Sequence, residues 1–298
     1  MRTVKRCVGL LLLLGGLFAF LAPELYTLYF NSVNQRTISD FQEEHGFPEN
    51  ITEEPNEKHD EDPVYRQFLR YNQNIYETRQ ADLTDAWAYE QTEFGLELED
   101  DLFGYIEIPA MDVKLPLYLG ATEEHLAAGA AVLGQTSVPI GGRNTNCVIA
   151  GHRGFRGAPY FREIEKLSVG DAVSVTNPWE TLTYTVTQIV VIAPDDLDAV
   201  LIQEGRDMVT LVTCHPYRGN GRYRYVVYCE RKTSQTPPDM ADVEENADNS
   251  TGETQIESSE QLIVQESAFR IICAAVITGL LIRIILTRKC RFCGGCDD

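Results

Sequence analysis

Thr210-Leu-Val-Thr-Cys214 is an apolar, β-type run that ends in a thiol. His215-Pro216-Tyr217 follows, and proline cannot donate to a strand ladder, so the strand stops there. Cys214 therefore sits at a strand-to-loop edge, where a side chain is both fixed and reachable. Its strand is one of seven short β-rich runs, at 105–108, 113–118, 146–150, 172–176, 182–192, 208–213 and 223–229. Clusters of Gly, Pro, Asn and Asp separate them, a pattern that predicts a closed barrel or a sandwich. Short helices are expected at 122–128 and 160–166. Before the β-rich part, Tyr65, Phe68, Leu69, Tyr71 and Ile75 fall at helical spacing in a polar, acidic region.

A lone strand cysteine is more often an inert buried thiol than a nucleophile, but two neighbours in the pattern point the other way. Ala150-Gly-His152-Arg-Gly154 follows the apolar run 147–150 and places an imidazole at another strand end, with glycines leaving the approach open. His215 is adjacent to Cys214, yet adjacent side chains on an extended chain point apart, so His152 is the preferred partner. His45, His59 and His125 read as surface residues. In Asn220-Gly-Arg222-Tyr-Arg224-Tyr-Val-Val-Tyr-Cys-Glu230-Arg231, alternation puts Arg222, Arg224, Val226 and Tyr228 on one face. Arg222 suits a solvated turn, whereas Arg224, inside the strand, is the candidate cation for a developing oxyanion. Thr213 reads either as a substrate-positioning hydroxyl or as an ordinary strand threonine.

The chain has 298 residues and a formal net charge of -20, which argues against a nucleic-acid partner. Two apolar segments flank the rest. The first, 7–22 with a semi-apolar extension to 30, follows Arg2, Lys5 and Arg6. It reads as a membrane anchor rather than a cleaved signal peptide, because no small-x-small cleavage site follows. The second, 271–286, precedes Arg288, Lys289 and Arg291. Basic residues at the outer end of both predict cytoplasmic termini and an extracytoplasmic domain between two spans. The expected organisation is a cytoplasmic N-terminus at 1–6, an anchor at 7–30, a helical acidic region at 31–102, a β domain at 103–232, an acidic linker at 233–268, a transmembrane helix at 269–287 and a Cys-rich cytoplasmic tail at 288–298.

Of eight cysteines, Cys147, Cys214 and Cys229 fall in the outer domain. Three is an odd number, so at least one thiol is expected free. Cys147 and Cys229 either pair or are buried as small apolar residues, and the strand sequence around both favours burial. Cys290, Cys293 and Cys296 have metal-like spacing, but a closed zinc site needs a fourth ligand. A plain reduced tail is the expectation.

With these motifs assembled, the chain resembles the sortases, cysteine transpeptidases of Gram-positive cell surfaces. Thr210-Leu-Val-Thr-Cys214 is similar to the family's Thr-Leu-x-Thr-Cys motif, Gly151-His-Arg-Gly154 to its histidine segment and Arg224-Tyr-Val-Val to its arginine strand. The likeness runs over about 103–231, and Gly104-Tyr-Ile-Glu-Ile-Pro109 and Thr136-Ser-Val-Pro-Ile-Gly-Gly142 resemble the pilus-building class C branch. It implies a mainly β fold: a closed eight-stranded barrel with peripheral short helices, an N-terminal helical segment and two flanking transmembrane helices. It also selects Arg224 over Arg222.

The resemblance implies that Cys214, His152 and Arg224 are catalytic and that no metal or organic cofactor is needed. The implied substrates are surface proteins or pilin subunits with a Leu-Pro-x-Thr-Gly-like sorting signal, cleaved between Thr and Gly. The acceptor would be a pilin lysine or a peptidoglycan cross-bridge amine. Class C members carry a lid with an Asp-Pro-aromatic tripeptide; here Asp85-Ala86-Trp87 stands in that place without the proline. Asp85 and Trp87 are thus either a lid over Cys214 or part of an amphipathic helix. Three readings stay apart: a class C pilin polymerase, a sortase of another class that anchors surface proteins, and a membrane-held β domain that only binds.

Overall fold

The computed structural model describes residues 2–46, 61–81, 83, 101–155, 158–217 and 221–231, together with 272, 273 and 276. The chain divides into two units, Met1–Leu28 with Thr251–Asp298, and Tyr29–Ser250. In the first, residues 2–28 form the start of a long helix, and Ile272, Cys273 and Val276 are helical. The second carries the barrel and the candidate site.

Helix α1 (Arg2–His45) and helix α2 (Pro63–Glu77) precede strands β1 (Leu102–Ile108) and β2 (Val113–Leu119). Helix α3 (Glu123–Ala128) leads into β3 (Ala130–Val132) and β4 (Thr145–Ala150). The remaining strands are β5 (Ala172–Thr176), β6 (Thr181–Ile192), β7 (Asp207–His215) and β8 (Tyr223–Glu230). These eight strands close into a barrel in the order β1-β2-β3-β4-β7-β8-β6-β5, with β1 pairing β5 to complete the ring. Most neighbours are antiparallel, but β2 runs parallel to β3 and β4 parallel to β7. Strand β7 is enclosed along nearly its whole length: of its nine residues all but Cys214 are buried. That explains why its sequence reads as a near-continuous apolar run.

The helices begin where their caps dictate. Asp62 accepts hydrogen bonds from the backbone N–H groups of Val64 and Tyr65, and Pro63 opens α2 with its φ preset. Phe68, Asn72 and Ile75 form the buried face of α2. Asn72 docks this face by a two-way amide bond: its Nδ2 donates to the Val138 carbonyl at 3.0 Å, and its Oδ1 accepts from Val138 N–H at 2.8 Å. Thr122 caps α3 in the same manner as Asp62. At the start of β7, buried Asp207 accepts from Arg231 Nε at 2.7 Å, Gly142 N–H at 2.9 Å and Tyr184 hydroxyl at 3.2 Å. Breaking a buried pair of this kind from one side costs about 3–5 kcal/mol. This hub therefore secures the end of β7 remote from Cys214.

The barrel matches the expectation, but the two flanking transmembrane helices do not. Among the described residues no helix is long and apolar enough to cross a membrane. Helix α1 carries Pro23 inside it and from there mixes Glu24, Thr27, Asn31 and Asn34 among its apolar residues. Its Phe30, Ile38 and Phe41 are buried rather than presented outward: Phe30 packs on Tyr160 and Phe41 on Tyr105. Of the second expected span, 269–287, only residues 272, 273 and 276 are described. The acidic linker at 233–268 and the tail cysteines Cys290, Cys293 and Cys296 lie outside the described residues.

Cys147 and Cys229 are free and buried. Cys147 pairs with Val209 and Val209 with Cys229, so the two thiols stand two strands apart. That separation, about 10 Å, exceeds the Cα–Cα span a disulfide tolerates.

Candidate active site

Three strand ends meet at one mouth of the barrel. The β4–β7 ladder runs in register to its last pair, Ala150 with Val212, so the segments just beyond, Gly151-His152 and Thr213-Cys214, leave the sheet side by side. Strand β8 runs antiparallel on the other side of β7 and sets Arg224 directly opposite Cys214. The three groups line a small pocket of about 50 Å³ whose other walls include Leu126, Leu133, Ala150 and Val212. A thiol, an imidazole and a guanidinium thus converge on an apolar floor, the arrangement in which a few polar groups orient a ligand.

Backbone chemistry holds them there. Gly151 N–H donates to the Val212 carbonyl at 3.2 Å, and the buried Thr213 hydroxyl donates to the Gly151 carbonyl at 2.6 Å. The Thr213 side chain is therefore engaged in tying the histidine segment to the cysteine strand. Gly151 is required by packing, because a Cβ there would meet the Phe161 ring at 2.7 Å. Arg224 Nη1 donates to the carbonyls of Gly221 at 2.7 Å and Tyr223 at 3.2 Å, which orients the guanidinium. Gly221 has φ +66°, and a Cβ on it would approach both Arg224 Nη1, at 3.3 Å, and Cys214 Sγ, at 3.4 Å. Thiol and guanidinium therefore flank a single point, and a glycine leaves that point uncrowded.

The His152 ring stacks on Phe155 at 4.6 Å between centroids and meets the edge of Tyr160 at 5.8 Å. Tyr160 is anchored through its hydroxyl to the Ala127 carbonyl at 2.6 Å and is covered by Phe30 of α1. Burial among these rings pushes the imidazole below its ordinary value by disfavouring the charged form. In a Cys214→Ala variant, which removes any thiolate, His152 is expected to titrate below the ordinary value of about 6.5. NMR of the ring protons checks this, and a midpoint above that value would mean an anion stabilises the imidazolium.

The other two thiols of the barrel, Cys147 and Cys229, are unsuited to attack. Burial and the nearby Asp207 carboxylate push Cys147 well above the ordinary thiol range, and burial pushes Cys229 up to about 12. Only the thiolate is nucleophilic.

His215 points away from the pocket, as alternation requires, and is buried beside Tyr225 and Glu165. Arg222 is exposed. His125 is not a surface residue: its ring stacks on Tyr118, lies 3.5 Å from Asp101 and bonds the Gly120 carbonyl at 2.6 Å. Asp85 and Trp87 lie outside the described residues. Sequence reasoning missed the aromatic cradle of His152, the apolar floor residues Leu126 and Leu133, and Gly221. The dipeptide Asn220-Gly221 was the one available signal, since glycine in a turn before an arginine strand marks a close approach. A larger groove of about 530 Å³ runs between α1 and β2, but no thiol or imidazole is among its lining residues.

A sortase-domain family model matches residues 106–232. The X-ray structure of Clostridium perfringens sortase C with the C-terminal cell wall sorting motif is 33% identical. The similarity covers 66% of this chain and 98% of that one, with a TM-score of 0.54. The chain belongs to the sortase family. Sortase C1 of GBS pilus island 1 is 29% identical over 67% of this chain and 98% of its own, with a TM-score of 0.58. Sortase A of Bacillus anthracis is 29% identical over 157 residues, 51% of this chain and 72% of the relative. This sortase, a cysteine transpeptidase by family, is most like the class C branch, and the family match spans all three strand ends of the pocket.

Proposed function

We propose that this sortase is a class C-type pilin polymerase acting outside the cytoplasm of a Gram-positive cell. The observation that carries the reading is the convergence of Cys214, His152 and Arg224 on one pocket. The Cys214 thiolate attacks the Thr carbonyl of a Leu-Pro-x-Thr-Gly-like sorting signal, forming a C–S bond as the carbonyl π pair moves onto oxygen. Arg224, across the ladder, donates hydrogen bonds to that oxyanion. Collapse re-forms the carbonyl and breaks the Thr–Gly C–N bond, with protonated His152 donating to the leaving Gly amine. The thioester is then resolved by a lysine amine of another pilin subunit, which yields an isopeptide bond and restores the thiol.

Similarity to a sortase of a pilus island and to a sortase C solved with a sorting motif supports the choice of substrate and acceptor. The test combines the full chain with a purified pilin subunit carrying both a sorting signal and an acceptor lysine. A ladder of covalent multimers is expected, with mass spectrometry locating a Thr-to-Lys isopeptide. Transfer only to a peptidoglycan cross-bridge amine would sink the polymerase reading in favour of surface-protein anchoring.

A further inference from the structure

Beyond Ala150 and Val212 the β4–β7 ladder ends, so the spacing between the histidine and cysteine segments is no longer set by strand pairing. Thr213 spans the gap through its bond to the Gly151 carbonyl. A second link lies beside it, through the residues that directly follow His152 and Cys214; its His215 end is a close approach and not a hydrogen bond. Arg153 is buried, and its Nη2 lies 2.6 Å from Glu165 Oε1 while its Nε donates to the Arg162 carbonyl at 3.1 Å. His215 is also buried, and its Nδ1 lies 3.4 Å from the same Glu165 oxygen. Tyr225 of β8 underlies both, its ring 5.6 Å from the Arg153 guanidinium and 5.5 Å from the His215 ring. Glu165 belongs to the short 3-10 turn Ile164–Lys166, whose Ile164 is fully buried.

We propose that Glu165 is a positioning residue of the sortase reaction, holding Arg153 and facing His215 with one carboxylate so that His152 and Cys214 keep a productive separation. The inference rests on the reading that His152 and Cys214 carry the chemistry. Its physical basis is that Arg153 is buried while Glu165 is only half-buried, so removing the carboxylate leaves the guanidinium as an uncompensated buried charge. Catalysis is steep in distance, since a displacement of about 1 Å costs on the order of 100-fold in rate. Glu165 does not line the pocket, so its removal is expected to act on the rate of the chemical step rather than on binding.

The experiment uses the full chain and a fluorogenic Leu-Pro-Glu-Thr-Gly peptide, comparing wild type with Cys214→Ala, Glu165→Gln, Arg153→Met and the Glu165→Gln/Arg153→Met double variant. Glu165→Gln is expected to lower kcat about tenfold while KM stays within about twofold, with folding followed by thermal unfolding. The double variant is expected to lose no more than the worse single one, as for residues acting as a unit. An unchanged kcat in folded Glu165→Gln, or losses that multiply, overturns the proposal. Should that variant not fold, Glu165→Asp decides: kcat down about fivefold at constant KM supports positioning, and no change, or failure of both variants to fold, overturns it. Persistent cleavage by Cys214→Ala would instead overturn the underlying reading of the nucleophile.

Discussion

Cys214→Ala is expected to abolish cleavage of a sorting-signal peptide, with kcat falling by at least about 10⁴-fold, the scale seen when a covalent nucleophile is removed. Among the described residues, Cys214 is the cysteine that lines the pocket. Cys147 and Cys229 are buried, and burial holds both thiols protonated. His215, the neighbouring imidazole, is turned to the far side of β7 and engaged with Glu165 and Tyr225. The fold should tolerate the change, because Cys214 is the single partly exposed residue of its strand. Peptide turnover measures the loss, and intact mass shows whether an acyl-enzyme still accumulates. Activity surviving the substitution would mean that another nucleophile is used.

Arg224→Ala is expected to lower kcat about 10²–10³-fold, the range for loss of an oxyanion donor, with a smaller effect on KM. The guanidinium is held opposite the thiol by strand register and by the carbonyls of Gly221 and Tyr223, so its donors are oriented before substrate arrives. Arg224→Lys should recover part of the rate and not all of it, because an ammonium is a point charge without the planar fork. Exposed Arg222 supplies the control: Arg222→Ala should stay within about twofold of wild type. Steady-state kinetics with the same peptide distinguishes these outcomes. Equal losses at the two arginines would remove the argument from strand register.

Much of the barrel was legible because seven of its strands carry apolar or alternating patterns bounded by turn residues. Strand β3 was not, since Ala130-Ala-Val132 is only three residues long and is made a strand by pairing to β2 and β4. The expected helix at 160–166 reduces to a 3-10 turn over Ile164–Lys166; Tyr160 sits at positive φ (43°), which no α-helix accommodates. The expected first membrane span differs for another reason. Hydropathy along 7–30 could not foresee that Phe30 would belong to the aromatic packing around Tyr160. At the site, the strand-end positions of Cys214, His152 and Arg224 were readable from motif and alternation. The link between Arg153, Glu165 and His215 was not, because it joins residues that only the closed barrel brings together and that share no spacing.

Closure of the ring has a consequence for how faithfully the site is assembled. In an open sheet, a strand at the edge can slide by one step against its single neighbour, and each step exchanges one face for the other. Here β7 is gripped on both flanks, by β4 and by β8, and each of these is gripped in turn. A slip of one residue would present the imidazole of His215 where the sulfur of Cys214 belongs. The strands behave like a combination lock with no free dial: a misreading at one position must be repeated around the whole circumference. Strands that supply none of the three reactive groups thereby guarantee the address of the sulfur atom.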